Sequence, residues 1–247
     1  MAESSHLTGV SFEQLADLAA ASRILARQEV VDAFGHVSIR HPARPDRYLL
    51  SRSIAPALVT PGDIVEYDLD SNSIDPDAPK GFLERFIHGE IYRSRPDVGA
   101  VVHSHSPSVI PFGLIDRPMH AMFHNAAFLS AGVPTFDISR NFGATDMLVC
   151  DCAKGRALAE TLGDKDVALM RAHGSVACGL KLEIAVFRAI YTEVNARIQT
   201  WTTGLAENGT IAFLSEEEGQ LADLPNQTAG MRAWDLWREE VRSSTGW

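Results

Sequence analysis

The chain has 247 residues, of which 45% are apolar, enough to bury a core and sized for one α/β domain or two small ones. Its formal net charge of −10 argues against a nucleic-acid-binding face, which needs a basic surface, and against docking on an anionic membrane, while leaving room for a small anionic substrate at a few local arginines. No apolar run approaches the ~18 residues of a membrane span.

The segment 1–14 lacks a basic stretch followed by an apolar run, so no signal peptide is expected. Cys150, Cys152 and Cys178 are too few to be a disulfide framework and imply free thiols in a reducing compartment. The expectation is a soluble, cytoplasmic protein.

In chain order, Ser11 with Gln14 three residues on has the form of a capping box. It opens a helix that runs to about Gln28 through Leu15, Leu18, Ala19, Ile24 and Leu25. Short extended pieces follow at His36–Arg40, Arg47–Leu50 and Asp63–Asp68, punctuated by Pro42, Pro45, Pro56, Pro61 and Gly62. Asp68–Lys80 is polar, with Pro76 and Pro79, and reads as a surface turn. Phe82–Arg93 has helical periodicity and is closed by Pro96, and Val98–Val102 reads as a buried strand. Ser106–Leu114 is expected as a helix with Pro107 in its first turn. Val133–Phe136 reads as a strand and Thr145–Leu162 as a helix. Asp166–Met170 and Ser175–Cys178 are two strands split by His173-Gly174. Leu182–Leu205 is a long helix, and residues 215–247 form a peripheral helical tail with Trp234 and Trp237 on one face. No repeat, low-complexity tract or linker divides the chain, so one domain over 1–247 is expected.

Three local patterns carry chemistry. In Val-Val-His103-Ser-His105-Ser, side chains two apart on a strand share a face, so two imidazoles reach one point; the pair is either a metal-ligand pair or two polar residues closing a strand. In Arg-Ala-His173-Gly174-Ser, a histidine sits in a tight turn, which is either a structural turn or a third ligand. A three-histidine site would leave a coordination position open, the catalytic pattern. Glu84 and His88, four apart, face one side of the Phe82–Arg93 helix and could pair with each other.

Phe-Gly-His-Val-Ser-Ile-Arg (34–40), Glu-Arg-Phe-Ile-His-Gly-Glu-Ile-Tyr (84–92), Arg-Pro-Asp-Val-Gly-Ala-Val-Val-His-Ser-His-Ser (95–106) and Arg-Ala-His-Gly-Ser-Val-Ala-Cys-Gly (171–179) occur in this order. Together they make the stretch from Phe34 to about Thr203 resemble the class II aldolase/adducin family. The resemblance implies an α/β fold, a three-layer α/β/α sandwich with a mainly antiparallel central sheet. It also implies a homotetramer with active sites at subunit interfaces. It makes His103, His105 and His173 the ligands of a divalent metal ion (Zn²⁺, Mn²⁺, Fe²⁺ or Co²⁺ all suit such a set) and Glu84 the catalytic acid/base. His124 falls near the place where aldolases offer a tyrosine acid from a neighbouring subunit, which suggests a catalytic proton donor or a structural histidine. His6 and His120 read as surface residues.

Sugar-phosphate aldolases of this family hold phosphate with small polar turns, which suit that ligand. Here those places read His36, Ser53-Ile54 and Phe82-Leu83, so a phosphorylated substrate is not expected. Phe82 offers an apolar wall for a ring, and Arg52, between Ser51 and Ser53, suits a carboxylate, with His36 as a further donor. The pattern is similar to a branch that decarboxylates hydroxylated aromatic or pyridine dicarboxylates through a metal-stabilised enolate. The expected substrate contacts are therefore His36, Ser51, Arg52, Ser53 and Phe82. Two alternatives remain: an aldolase or dehydratase acting on a non-phosphorylated hydroxy-keto acid, and a non-catalytic adducin-like interaction module.

Overall fold

Alternating apolar residues along the strands give the sheet two greasy faces, and the helices close one layer over each. The computed structural model describes residues 7–206 and 209–245. His6 and the start of the segment expected to lack a signal peptide lie outside the described residues, as do the last two residues of the tail.

Helix α1 (Phe12–Arg27) starts at the expected capping box: the Ser11 side chain accepts from the Gln14 backbone N–H and the Gln14 side chain reaches back. Strands β1 (His36–Arg40), β2 (Arg47–Ser51) and β3 (Ile64–Asp68) follow, then helix α2 (Phe86–Ser94) and strand β4 (Ala100–Ser104). Beyond them lie β5 (Thr135–Phe136), α3 (Ile138–Phe142), α4 (Cys152–Leu162), β6 (Val167–Met170), β7 (Gly174–Gly179), α5 (Leu182–Ala206) and α6 (Glu216–Thr245).

The seven strands form one sheet in the order β3-β2-β1-β4-β7-β6-β5. Every pairing is antiparallel except β5 with β6. Val37, Leu49, Ala100, Val102, Val167, Leu169 and Ala177 point to one face, where α1, α5 and α6 cover them. Tyr48, Leu50, Val101, Ala168, Met170, Val176 and Cys178 point to the other, under Ile87, Ile91 and Tyr92 of α2 and Leu158 and Leu162 of α4. This is the expected three-layer α/β/α sandwich. Trp234 and Trp237 of α6 are buried in the first core, and Arg238 bonds Asp17 and Glu13 of α1.

Two expectations need correction. Ser106–Leu114 is not an α-helix but a loop with one short 3-10 turn at Ile110–Gly113. Ser106 and the Ser108 N–H are tied to the buried Glu193 of α5, which draws this segment onto α5 in place of its own helical bonds. The helix expected from Thr145 begins only at Cys152, where Asp151 caps it, because Met147 upstream holds a left-handed φ of 67° that no helix tolerates. The polar stretch after β3 is the expected surface turn, folded back through a bridge between Tyr67 and Ser73 with Ser71 buried beneath it.

Candidate metal centre and active site

His103 is the fourth residue of β4, on the α2 side of the sheet and fully buried. His105 lies one residue past the strand end. His173 sits in the turn between β6 and β7, brought beside β4 because β7 pairs with it. Two backbone features make that turn. Ala172 takes a left-handed φ of 55°, and Gly174 lies so close to β4 that a Cβ there would stand 1.9 Å from the Ser104 carbonyl oxygen. His103 Nε2 and His105 Nε2 are 3.2 Å apart, and His105 Nε2 and His173 Nε2 3.0 Å. Glu84 Oε2 lies 3.5 Å from His103 Nε2 and 3.3 Å from His173 Nε2.

Main-chain atoms aim these groups. His103 Nδ1 lies 3.1 Å from the Ser175 carbonyl and His173 Nδ1 3.0 Å from the Met147 carbonyl. A carbonyl only accepts, so each Nδ1 donates and each neutral ring turns a bare Nε2 lone pair toward the centre. The Val149 N–H donates to Glu84 Oε1 at 3.0 Å, leaving Oε2 for the imidazoles.

Lone pairs crowded on one another and on a carboxylate oxygen repel unless positive charge lies among them. A tetrahedral ion at ~2.05 Å from each nitrogen would set them about 3.3 Å apart, close to the two separations observed. The donor set of three imidazole nitrogens and one carboxylate oxygen therefore fits a divalent transition-metal ion.

The same crowding perturbs the acids and bases. Burial favours the neutral acid of Glu84, but in the metal-free protein a proton taken up on Nε2 of His103 or His173 faces Glu84 Oε2, and that hydrogen bond and charge win and hold the carboxyl far below the usual range. Burial opposes charge on His173, and Glu84 reverses that and raises it. Burial, with His103 and His173 alongside, pushes His105 down to about 4.

Around this cluster, Phe82 is half-buried with its ring 4.6 Å from that of His36, which is in turn 5.1 Å from that of His103. Ser51 ends β2 and is buried, while Ser53 is exposed. Arg52 Nε bonds Asp63 Oδ1 at 2.6 Å. His124 is exposed; its contacts are to Asn125 and Asn226, with none to Glu84 or the three clustered histidines. His120 stacks on Phe213 at 3.8 Å.

The anticipated pair of Glu84 and His88 does not form. Glu84 sits at φ −94°, ψ 19° in a 3-10 turn before α2, so the two are not on one continuous helix, and His88 turns to His36 instead. Sequence reasoning missed Phe34, whose exposed ring stacks 6.3 Å from that of His105. It also missed the backbone of Met147, Val149 and Ser175, which no side-chain motif signals.

Residues 16–200 match the model of the Class II Aldolase and Adducin N-terminal domain. The chain is 37% identical over 241 residues to the decarboxylase tropJ of Talaromyces stipitatus, covering 89% of this chain and 91% of that one. It is 29% identical to the 3,4-dihydroxyphthalate decarboxylase of Arthrobacter keyseri, over 93% and 94%. Its fold is similar to that of the L-fuculose 1-phosphate aldolase from Glaciozyma antarctica, with a TM-score of 0.76 at 19% identity over 97% of this chain and 94% of that one.

Proposed function

The chain belongs to the class II aldolase and adducin family and is a lyase of the carboxy-lyase type, and from that premise we propose that it decarboxylates a hydroxylated aromatic or pyridine (di)carboxylic acid in a divalent-metal-dependent reaction. The observation that carries this reading is the convergence of His103, His105, His173 and Glu84 beside the Phe82 and His36 rings. The three histidines would hold the metal, which supplies a Lewis acid for the negative charge that gathers on a substrate oxygen as the carbon–carbon bond breaks.

Glu84 rests as a carboxylate because its neighbours depress it. It takes the proton of a ring hydroxyl and delivers it to the ring carbon that bears the carboxylate, giving a ring ketone. The bond to the carboxylate then breaks, its electron pair flows toward the ketone oxygen, carbon dioxide leaves, and a solvent proton restores the hydroxyl. Oε2 is the better placed oxygen to carry this proton, since Oε1 already accepts from the Val149 N–H. Phe82, and Phe34 beside His105, would wall the ring. His36 would bind an anionic oxygen, with Arg52, Ser51 and Ser53 at the outer carboxylate and His124 as a donor from a neighbouring copy.

A cytoplasmic homotetramer with sites at its interfaces belongs to the same proposal. Free Cys150, Cys152 and Cys178 support the reducing compartment, and the tetramer is carried by the family resemblance alone. The test is carbon dioxide release from a panel of ortho-hydroxylated aromatic and pyridine dicarboxylates, with and without chelator. Chelator-sensitive release supports the reading. Metal-loaded protein that releases none from any of them would redirect it to retro-aldol cleavage or dehydration of a hydroxy-keto acid.

A further inference from the structure

His88, in the first turns of α2, is fully buried and is not among the four clustered groups. Its ring joins two strand residues. His88 Nε2 is 2.6 Å from His36 Nδ1, and His88 Nδ1 is 2.6 Å from Ser38 Oγ, which is 2.7 Å from the Tyr92 hydroxyl. His36, Ser38, His88 and Tyr92 are exposed by only 6%, 0%, 0% and 1%, so water cannot complete the chain and its protons must run one way.

Tyr92 sets the direction. Its hydroxyl has one side-chain hydrogen-bond partner, Ser38 Oγ. A phenol hydrogen turned away from it would be buried unpaired, which is costly. Tyr92 therefore donates to Ser38, and Ser38 donates to His88 Nδ1. The His88 proton then sits on Nε2 and is donated to His36 Nδ1. His36 is left with its own proton on Nε2, an atom with no hydrogen-bond partner among the described residues, on a ring packed between Phe82 and His103.

We propose that His88, backed by Ser38 and Tyr92, is a positioning residue that locks His36 as an Nε2–H donor and so makes it the recognition point for an anionic oxygen of the substrate, a carboxylate or a phenolate. The recognition half rests on the reading of the site given above. The tautomer half does not.

The test is a two-bond proton–nitrogen correlation spectrum of zinc-loaded, imidazole-¹⁵N-labelled full-length protein, with His36 assigned from His36→Gln. Wild type should show Nδ1 bare and Nε2 protonated. Tyr92→Phe, which removes only the phenol oxygen, should give a mixture of tautomers. His88→Leu should abolish the bias, and His88→Gln, whose amide N–H can still donate to His36, should restore it.

3,4-Dihydroxybenzoate serves as the binding probe. It should shift the His36 Nε2–H resonance in wild type and bind roughly tenfold or more weakly to His88→Leu. A His36 protonated on Nδ1 in wild type, or a spectrum unmoved in both Tyr92→Phe and His88→Leu, overturns the proposal; an Nε2–H resonance unmoved by the probe overturns its recognition half. Because the tautomer is read without turnover, a protein that keeps Nε2–H yet releases no carbon dioxide would defeat the decarboxylation reading alone.

Discussion

Exchange of Glu84 for Gln isolates proton transfer from architecture. The amide matches the carboxylate in shape, and its orientation is dictated: the oxygen must stay on the Val149 N–H, 3.0 Å away, which puts the NH₂ where Oε2 now faces His103 and His173 at 3.5 and 3.3 Å. Fold and metal content should therefore survive, while the group that moves the proton is gone. Loss of a positioned general acid/base is worth about 10²–10⁴ in rate, or roughly 3–5.5 kcal/mol of barrier. The assay pairs carbon dioxide release at saturating zinc with elemental analysis of the same sample. Glu84→Asp is the control: one methylene shorter, it cannot span Val149 and the imidazoles together, and should fall between wild type and Gln. Turnover of Glu84→Gln within about fivefold of wild type would refute the acid/base role, and loss of zinc in parallel with activity would make Glu84 a ligand rather than a proton carrier.

Stripping the metal with chelator should lower the melting temperature by about 5–10 °C relative to protein held at 100 times the metal's Kd, since such saturation adds ~2.7 kcal/mol; an unchanged melting curve would exclude binding to the native state. Gly174→Ala forces a methyl into the Ser104 carbonyl and should cost about 1–3 kcal/mol of stability while weakening metal retention through the displaced His173, read by denaturant unfolding and metal analysis. Asp137, which caps α3, is held down to about 2 from 3.8 by its close ion pair with Arg171 and by hydrogen bonds from the Ser139 N–H and hydroxyl. Because its folded value is the lower one, the stability it contributes is present above about pH 4 and fades as pH falls toward 2. Asp137→Asn should therefore be less stable than wild type at pH 7, and the gap should close near pH 2. A gap independent of pH would contradict the assignment.

Much of this was legible in the chain. The period-two patterns gave the strands, and the His103-x-His105 spacing gave two imidazoles on one side, although His105 proved to lie just beyond β4. What spacing could not give was distance along the fold. His173 reaches the pair only because β7 is hydrogen-bonded to β4, a contact between residues some seventy apart in sequence. The Glu84 and His88 pairing failed for a local reason: the i, i+4 rule assumes unbroken helix, and the kink at Glu84 sends the two side chains to different partners. The Ser106–Leu114 helix failed for a distant one, because the buried carboxylate of Glu193 claims its first polar groups.

The holders of His103, His173 and Glu84 are the carbonyls of Ser175 and Met147 and the amide of Val149. Peptide groups are the same whatever side chain hangs from them. Within what the left-handed φ of Met147 and the buried settings of Val149 and Ser175 accept, positions 147, 149 and 175 can thus change without loosening the centre, and a library of similar-sized apolar or small residues at these three sites should retain metal more often than one varied at Gly174 or Glu84. The centre is, in that sense, inherited through the course of the chain rather than through its letters, which frees the neighbouring side chains to be reshaped for new rings.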